Sequence, residues 1–288
     1  MSLPNFLCVG TQKAGTTTIY NIIKQHPDIF LPTPKEIHFF DNEENYNKGI
    51  HWYKEFFSNY QGEKAIGEIT PAYMYIDYVP ERILRDLGKD IKLIFVLRNP
   101  ADRAYSQYIM NRMKGYENEI FVDALRLEDQ RLQEGFNEKL HMSYRDRGYY
   151  ATQIKRYLRL FPRENMLFLF FEDDLINNKK PMIRKILKFL EVKNIELDME
   201  KWSYPSKPVS NFRFRSLEKI IDRLDNIRKK LKDTRIEQAI KWVLLQKVPK
   251  KIDLETKHTL IRNYFIADIK ELEKITGKEL KCWYSSRK

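Results

Sequence analysis

The sequence predicts an α/β fold, in which a P-loop-like central parallel β-sheet is flanked by helices and carries a helical C-terminal extension. Three observations predict it. Short apolar runs alternate with helix-like segments through the first half of the chain, the pattern of βαβ units. The first of these runs feeds a glycine-bearing loop that opens directly into a helix. Two later runs, residues 91–97 and 166–171, are apolar enough to be buried on both faces, as parallel strands are.

Taken in order, residues 5–9 form the first strand, followed by the glycine loop and a helix over 16–25 that Pro27 stops. Residues 29–31 and 36–40 read as short extended pieces separated by Pro32 and Pro34. Residues 65–69 form a second core strand, closed by Thr70-Pro71. The strand over 91–97 passes to Asn99-Pro100, which opens a helix running to Arg112 with proline in its first turn. A helix over 149–160 leads to the strand over 166–171. An amphipathic helix over 181–190 follows, with Ile183, Ile186, Leu187 and Leu190 on one face.

Beyond Leu190 the chain becomes charged. Residues 201–216 are loop-like, and helices are expected over 217–231 and 254–275. The whole is read as a single domain over 1–288, with its core at 5–191 and a helical extension over 201–288 packed on that core.

At 42% hydrophobic and 13% aromatic, the chain has the material for a packed core and is not a disordered protein. Its net charge of +12 favours anionic partners such as phosphates, sulfated glycans, nucleic acid or an acidic membrane surface. The run Arg228-Lys229-Lys230-Leu231-Lys232 reads as a solvated helix face. Only two cysteines are present, Cys8 and Cys282, which is not a disulfide scaffold, and no Cys/His spacing suggests zinc. No signal peptide or bilayer-length apolar run is read, so a cytoplasmic location is expected.

The loop is Gly10-Thr11-Gln12-Lys13-Ala14-Gly15-Thr16-Thr17-Thr18. A strand-to-helix turn of this kind leaves backbone N–H groups pointing one way, and the helix dipole adds to them, so an anion site results. The ATPase form of the loop, G-x-x-x-x-G-K-[ST], places lysine where this chain has Thr16. Here the lysine lies inside the loop, at Lys13, and no strand ending in aspartate supplies a magnesium ligand. That departure argues against a kinase and toward a 5'-phosphosulfate donor, whose smaller charge one lysine and N–H groups can hold.

Arg98 follows the 91–97 strand, at the edge where open α/β sheets bind ligands. Ser106 is two turns into the next helix. Arg98 can pair bidentately with a phosphate to which Ser106 donates its hydroxyl. In the segment from Pro34 to Asp41, Glu36 and His38 share a face by the period of two if the chain is extended. Either can serve as general base for a nucleophilic hydroxyl.

Together these motifs resemble the sulfotransferase superfamily, and most of all its heparan sulfate N- and 3-O-sulfotransferase branch with related bacterial enzymes. The residues that carry the resemblance are Lys13-Ala14-Gly15-Thr16-Thr17, Lys35-Glu36-Ile37-His38-Phe39-Phe40 and Asn99-Pro100-Ala101-Asp102-Arg103-Ala104-Tyr105-Ser106. Residues 48–57, Thr70-Pro71-Ala72-Tyr73 and 148–153 extend it, so that it spans about 5–191.

The resemblance implies 3'-phosphoadenosine 5'-phosphosulfate (PAPS) as donor, adenosine 3',5'-bisphosphate (PAP) as product, and no metal. It implies Ala14, Gly15, Thr16, Thr17 and Thr18 with Lys13 at the 5' end, and Arg98 and Ser106 at the 3'-phosphate. Glu36, with His38, would be the base, and Lys13 would stabilise the leaving oxygen. Asn211 and Arg213 are implied as further donor contacts. The implied acceptor is a carbohydrate or other hydroxylated small molecule rather than nucleic acid. Two departures stand out: Ile69 occupies a position that carries lysine in the glycan enzymes, and 206–216 lacks the cysteine of their disulfide loop. A nucleotide-dependent kinase and a non-enzymatic binder of anionic polymers are the competing readings.

Overall fold

The computed structural model describes residues 2–199 and 251–284, together with the backbone of 210–212 and 245–247. The expected helix over 217–231 and the basic run at 228–232 lie outside the described residues. The elements are β1 (Phe6–Gly10), α1 (Thr16–Ile23), β2 (Ile29–Phe30), α2 (Glu43–Asn47), α3 (Gly49–Glu55), β3 (Ala65–Ile69), α4 (Val79–Leu87), β4 (Lys92–Leu97) and α5 (Pro100–Met113). They continue with α6 (Phe121–Glu134), α7 (Phe136–Met142), α8 (Tyr150–Leu158), β5 (Met166–Phe170) and α9 (Lys179–Phe189). Strands β6 (Ser210–Phe212) and β7 (Leu245–Lys247) follow, then α10 (Leu254–Leu260), α11 (Ile266–Thr276) and α12 (Lys281–Tyr284).

Five strands form one parallel sheet in the order β2-β3-β1-β4-β5, and β6 and β7 pair separately as an antiparallel ribbon. The sheet's central strands are buried along nearly their whole length, as the continuous apolar runs require. Phe6, Cys8, Ile94, Val96 and Leu169 point to one face, where they meet Ile19, Ile22 and Ile23 of α1 and Met182, Ile183, Ile186 and Leu187 of α9. Each such fully buried aliphatic side chain contributes about 1.5–3 kcal/mol relative to exposure. On the other face the Phe95 ring meets Tyr157 of α8 edge-on, with centroids 5.2 Å apart.

Chain connectivity reverses between neighbouring β1 and β4, the place where doubly wound sheets open a ligand crevice beyond their strand ends. The loop after Gly10 and the turn at Arg98 both start there.

Two expectations are corrected. Residues 36–40 are not an extended strand, because the backbone passes through a left-handed conformation at His38 (φ 56°). The helix expected over 254–275 is two α-helical pieces joined by a π-helical turn at Ile261–Phe265. By internal contacts the described residues form two compact units: 2–104 with 145–199 and 254–284, and 105–144 with 210–212, 245–247 and 251–253. The C-terminal helices α10 to α12 thus belong to the unit that holds the sheet.

Candidate functional site

The loop between β1 and α1 is tied at its start by Thr11 N–H donating to the Val96 carbonyl of β4 at 2.7 Å. The Ala14 N–H then closes a turn onto the Thr11 carbonyl at 3.3 Å. Lys13 (φ 71°) and Gly15 (φ 84°) are both left-handed, an arrangement that gathers backbone N–H groups into a concave anion site. Gly15 is the N-cap of α1, and no acidic residue occupies that helix's first turn to offset its dipole. A Cβ on Gly15 would overlap the Leu175 side chain and sit 3.3 Å from Phe171 carbons, so only glycine fits.

Thr16 and Thr17 lie in the first turn, where N–H groups have no partner in their own helix. Thr17 is exposed and Thr16 buried. Thr18 is buried, and its N–H is already given to the Gly15 carbonyl at 3.0 Å. Within the loop, Gln12 Oε1 is buried without a hydrogen-bond partner among the described residues.

Arg98, at the end of β4, reaches this loop. Its Nη1 donates to the Lys13 carbonyl at 2.8 Å, and its guanidinium lies 4.6 Å over the Phe171 ring. Its Nε is buried with no hydrogen-bond partner among the described residues. The backbone around it is clamped. Tyr150 donates to the Arg98 carbonyl at 2.8 Å, and Asn99 N–H donates to Glu172 Oε1 at 2.9 Å. Asn99 Oδ1 accepts from Ala101 and Asp102 N–H groups, capping α5. Asn99 Nδ2 donates to the Trp283 carbonyl at 3.1 Å, and Trp283 Nε1 donates to Glu172 Oε2 at 3.1 Å. Burial raises the Glu172 pKa, opposed by the Asn99 hydrogen bond. The Asn-Pro pair signals the cap in the sequence, and Tyr150 falls in the 148–153 motif; nothing there signals Glu172 or Trp283.

In the segment over 34–41, Glu36 Oε1 accepts from Lys35 Nζ at 3.1 Å, and Glu36 Oε2 lies 3.3 Å from His38 Nε2. His38 Nδ1 is 2.8 Å from Asp41 Oδ2. The sequence reading brought Glu36 and His38 together but missed Asp41, which is almost fully buried. Burial alone would lower the His38 pKa, but hydrogen bonds to Asp41 and Glu36 prevail and raise it to about 10. Burial would raise Glu36, and its bonds to His38 and Lys35 prevail in the other direction, holding it below the usual range. The pair is therefore a carboxylate beside an imidazolium near neutral pH.

This segment lies close to β1. Burial pushes the Cys8 thiol up to about 12, while the Lys35 charge pulls it down and the Glu36 charge pushes it up. Both side chains are thus within electrostatic reach of the strand that ends at the phosphate loop. Arg82 Nη1 donates to the Phe40 carbonyl at 3.0 Å and Tyr78 to the Asp41 carbonyl at 3.0 Å, with the guanidinium between the Tyr46 and Tyr78 rings.

Ser106 is half-buried on α5, in the second unit. Asn211 lies in β6, where its backbone pairs with Gln246; its side chain, and the whole of Arg213, lie outside the described residues. Among the described residues, no group of three or more His, Cys, Asp and Glu side chains could hold a metal ion.

Residues 3–246 match the family described as "Sulfotransferase domain". The chain is 29% identical over 193 residues to heparan sulfate glucosamine 3-O-sulfotransferase 5 of Homo sapiens, covering 66% of this chain and 54% of that protein. It is 35% identical over 205 residues to bifunctional heparan sulfate N-deacetylase/N-sulfotransferase 2 of Homo sapiens, covering 66% of this chain but 22% of that protein. The chain therefore spans only part of the curated relatives it matches. The crystal structure of a sulfotransferase from Alicyclobacillus acidocaldarius is similar at a TM-score of 0.72 and 25% identity, over 99% of this chain and 100% of that one.

Proposed function

The chain belongs to the sulfotransferase domain family, and on that premise we propose that it moves a sulfuryl group from PAPS to a hydroxyl or amino group of an acceptor, with a saccharide as the acceptor class. The observation that carries this reading is the hydrogen bond from Arg98 to the Lys13 carbonyl. It joins a 5'-side anion loop to an arginine suited to a second phosphate, and PAPS and PAP carry groups at both ends. The unpartnered Nε of Arg98 and the acid-free first turn of α1 fit a polyanion there.

When bound, the donor supplies an electrophilic sulfur, whose bond to the 5'-phosphate oxygen breaks as the acceptor oxygen or nitrogen bonds to it. Glu36 accepts the proton that the acceptor loses. Its lowered pKa keeps it ionised and ready, while His38, already protonated near neutral pH, orients the carboxylate and is not itself the base. Lys13 neutralises the charge that develops on the leaving oxygen. Asp41 holds the imidazolium from its far side. Ser106 at the 3'-phosphate rests on its motif alone, and Asn211 and Arg213 as further donor contacts rest on the family resemblance alone. A cytoplasmic location is likewise proposed from cysteine usage, and cell fractionation tests it.

Calorimetric titration tests the donor. PAP should bind at least about tenfold tighter than ATP, a difference of about 1.4 kcal/mol. Equal affinity for the two, or preference for ATP, would reject the reading in favour of a kinase. Sulfate transfer to an unsulfated heparan-type polysaccharide, set against small phenols and amines, tests the acceptor class. The names of the heparan sulfate sulfotransferases that this chain resembles support the saccharide.

A further inference from the structure

Glu68 is a carboxylate in the middle of the sheet. It lies on β3 and is 2% exposed. Its Oε1 accepts from Thr70 Oγ1 at 2.5 Å and from the Tyr73 hydroxyl at 2.7 Å, and its Oε2 accepts from the Tyr53 hydroxyl at 2.5 Å. The Tyr73 oxygen in turn accepts the Phe39 N–H at 2.9 Å and the Phe40 N–H at 3.4 Å. Those two residues join His38 to Asp41. The Phe39 ring stacks on Tyr53, with centroids 4.5 Å apart, so both tyrosines on Glu68 also support this segment.

We infer that Glu68 is the positioning residue of the acceptor-side segment, acting through the Tyr73 hydroxyl to fix the Phe39–Phe40 backbone and so the aim of Glu36 and His38. The inference rests on the sulfotransferase reading for its catalytic consequence, though not for its geometry.

A count of protons gives the mechanism. A hydroxyl has one hydrogen to give. Tyr73 gives its hydrogen to Glu68 and keeps its lone pairs for the two N–H groups. All three donors are accommodated at once only while Glu68 is ionised. A proton on Oε1 displaces Thr70 or Tyr73, and a proton on Oε2 displaces the hydroxyl of Tyr53, whose ring stacks on Phe39. With Tyr73 no longer oriented, the two N–H groups lose a fixed partner, and Arg82 and Tyr78 hold the segment only by its carbonyls.

The groups facing Glu68 are Tyr53 from α3, Tyr73 and Thr70 from the turn after β3, and the Asp41 carboxylate from the segment itself. Burial pushes Glu68 up to about 7, with the three hydroxyl hydrogen bonds pulling it back and Asp41 pushing it further. Burial likewise raises both tyrosines well above their ordinary value, so they stay neutral. Glu36, held low, and His38, raised to about 10, do not change charge near neutral pH. Order in the segment should therefore rise as the pH passes upward through the Glu68 transition.

Backbone amide hydrogen exchange over 36–41 tests this, measured at about pH 6 and about pH 8 and corrected for the intrinsic exchange rate. PAP titration and donor turnover are run on the same samples. Wild-type protection over 36–41 should rise severalfold between the two pH values. Tyr73→Phe, which keeps the ring, should lose about tenfold of that protection and its pH dependence. It should also lower kcat by about tenfold or more, with PAP affinity within about twofold of wild type. Glu68→Gln cannot titrate and should show no pH step. Wild-type protection in Tyr73→Phe, or a pH step that persists in Glu68→Gln, would overturn the inference. If Glu68→Gln does not fold, Tyr73→Phe alone decides. Failure of the wild-type protein to bind PAP would count against the sulfotransferase reading, and the exchange result would still decide the role of Glu68.

Discussion

The Arg98 guanidinium donates from Nη1 to the Lys13 carbonyl at 2.8 Å, so the residue that ends β4 also holds the loop that follows β1. The two anion motifs are one structural unit, although they lie 85 residues apart in the chain. Its first consequence concerns donor binding. Arg98→Ala removes a phosphate partner and a loop anchor together, and a hydrogen bond to a charged group is worth about 1.5–3 kcal/mol. PAP affinity should fall by about 10- to 100-fold. Arg98→Lys should restore little, because lysine keeps the charge and loses the fork that reaches the carbonyl and a phosphate at once. Calorimetry checks both, and an Arg98→Ala protein that binds PAP like the wild type would refute the role.

Gly15→Ala tests the loop's shape. Its φ of 84° disfavours any side chain, and the new methyl would meet Leu175 and Phe171. Strain at φ of about 1–2 kcal/mol adds to overpacking of about 1–3 kcal/mol. The melting temperature should fall by several degrees and PAP binding should weaken. A neutral substitution would show that the loop can rearrange.

Glu36→Gln should reduce kcat by about 10²- to 10⁴-fold, the usual worth of general base catalysis, with PAP affinity unchanged. The pH profile separates Glu36 from His38. Because Glu36 titrates below its ordinary value, its own protonation should give an acid limb below that of a free carboxylate, separate from any loss that follows Glu68 at about pH 7. In His38→Asn the imidazolium that holds Glu36 low is gone, and this acid limb should move to higher pH. A limb that stays in place would exclude the coupling.

His38 also gives a stability test. Its pKa is raised from an ordinary 6.5 to about 10, with burial opposing the shift and the bonds to Asp41 and Glu36 prevailing. The stability it contributes is complete below the unfolded value and is lost as pH rises through the folded one. Solvent screens this side chain, which is 39% exposed, so the effect is modest. The difference in melting temperature between wild type and His38→Ala should be largest near about pH 6 and should close above about pH 10. A difference that widens with pH would reverse the assignment.

The sheet was legible because its signals are local. Continuous apolar runs such as Lys92–Leu97 and proline breaks such as Pro27 act within a few residues of themselves. The helices α2, α3, α4, α6 and α7 have no counterpart in the sequence reading. The segment over 36–40 was misread as extended because the left-handed turn at His38 is imposed by Asp41, Tyr73 and Arg82 rather than by its own residues. Within the candidate site, motif position singled out Lys13, Glu36 and Arg98 as candidates. It gave no role to Asp41, Glu172 or Trp283, since each acts through a fold-dependent contact that leaves no spacing pattern.

The sequence by itself determined a parallel α/β sheet, a glycine-bearing strand-to-helix loop with its lysine at Lys13, and a strand-end Arg98. These depend on residue type and short-range order. The tertiary structure decided that Arg98 is bonded to the Lys13 carbonyl, that Asp41 and Glu36 raise the His38 pKa, and that a buried Glu68 stands behind the segment over 36–41. Protonation and aim depend on desolvation and on hydrogen-bond partners drawn from other elements, and those exist only once the chain has folded.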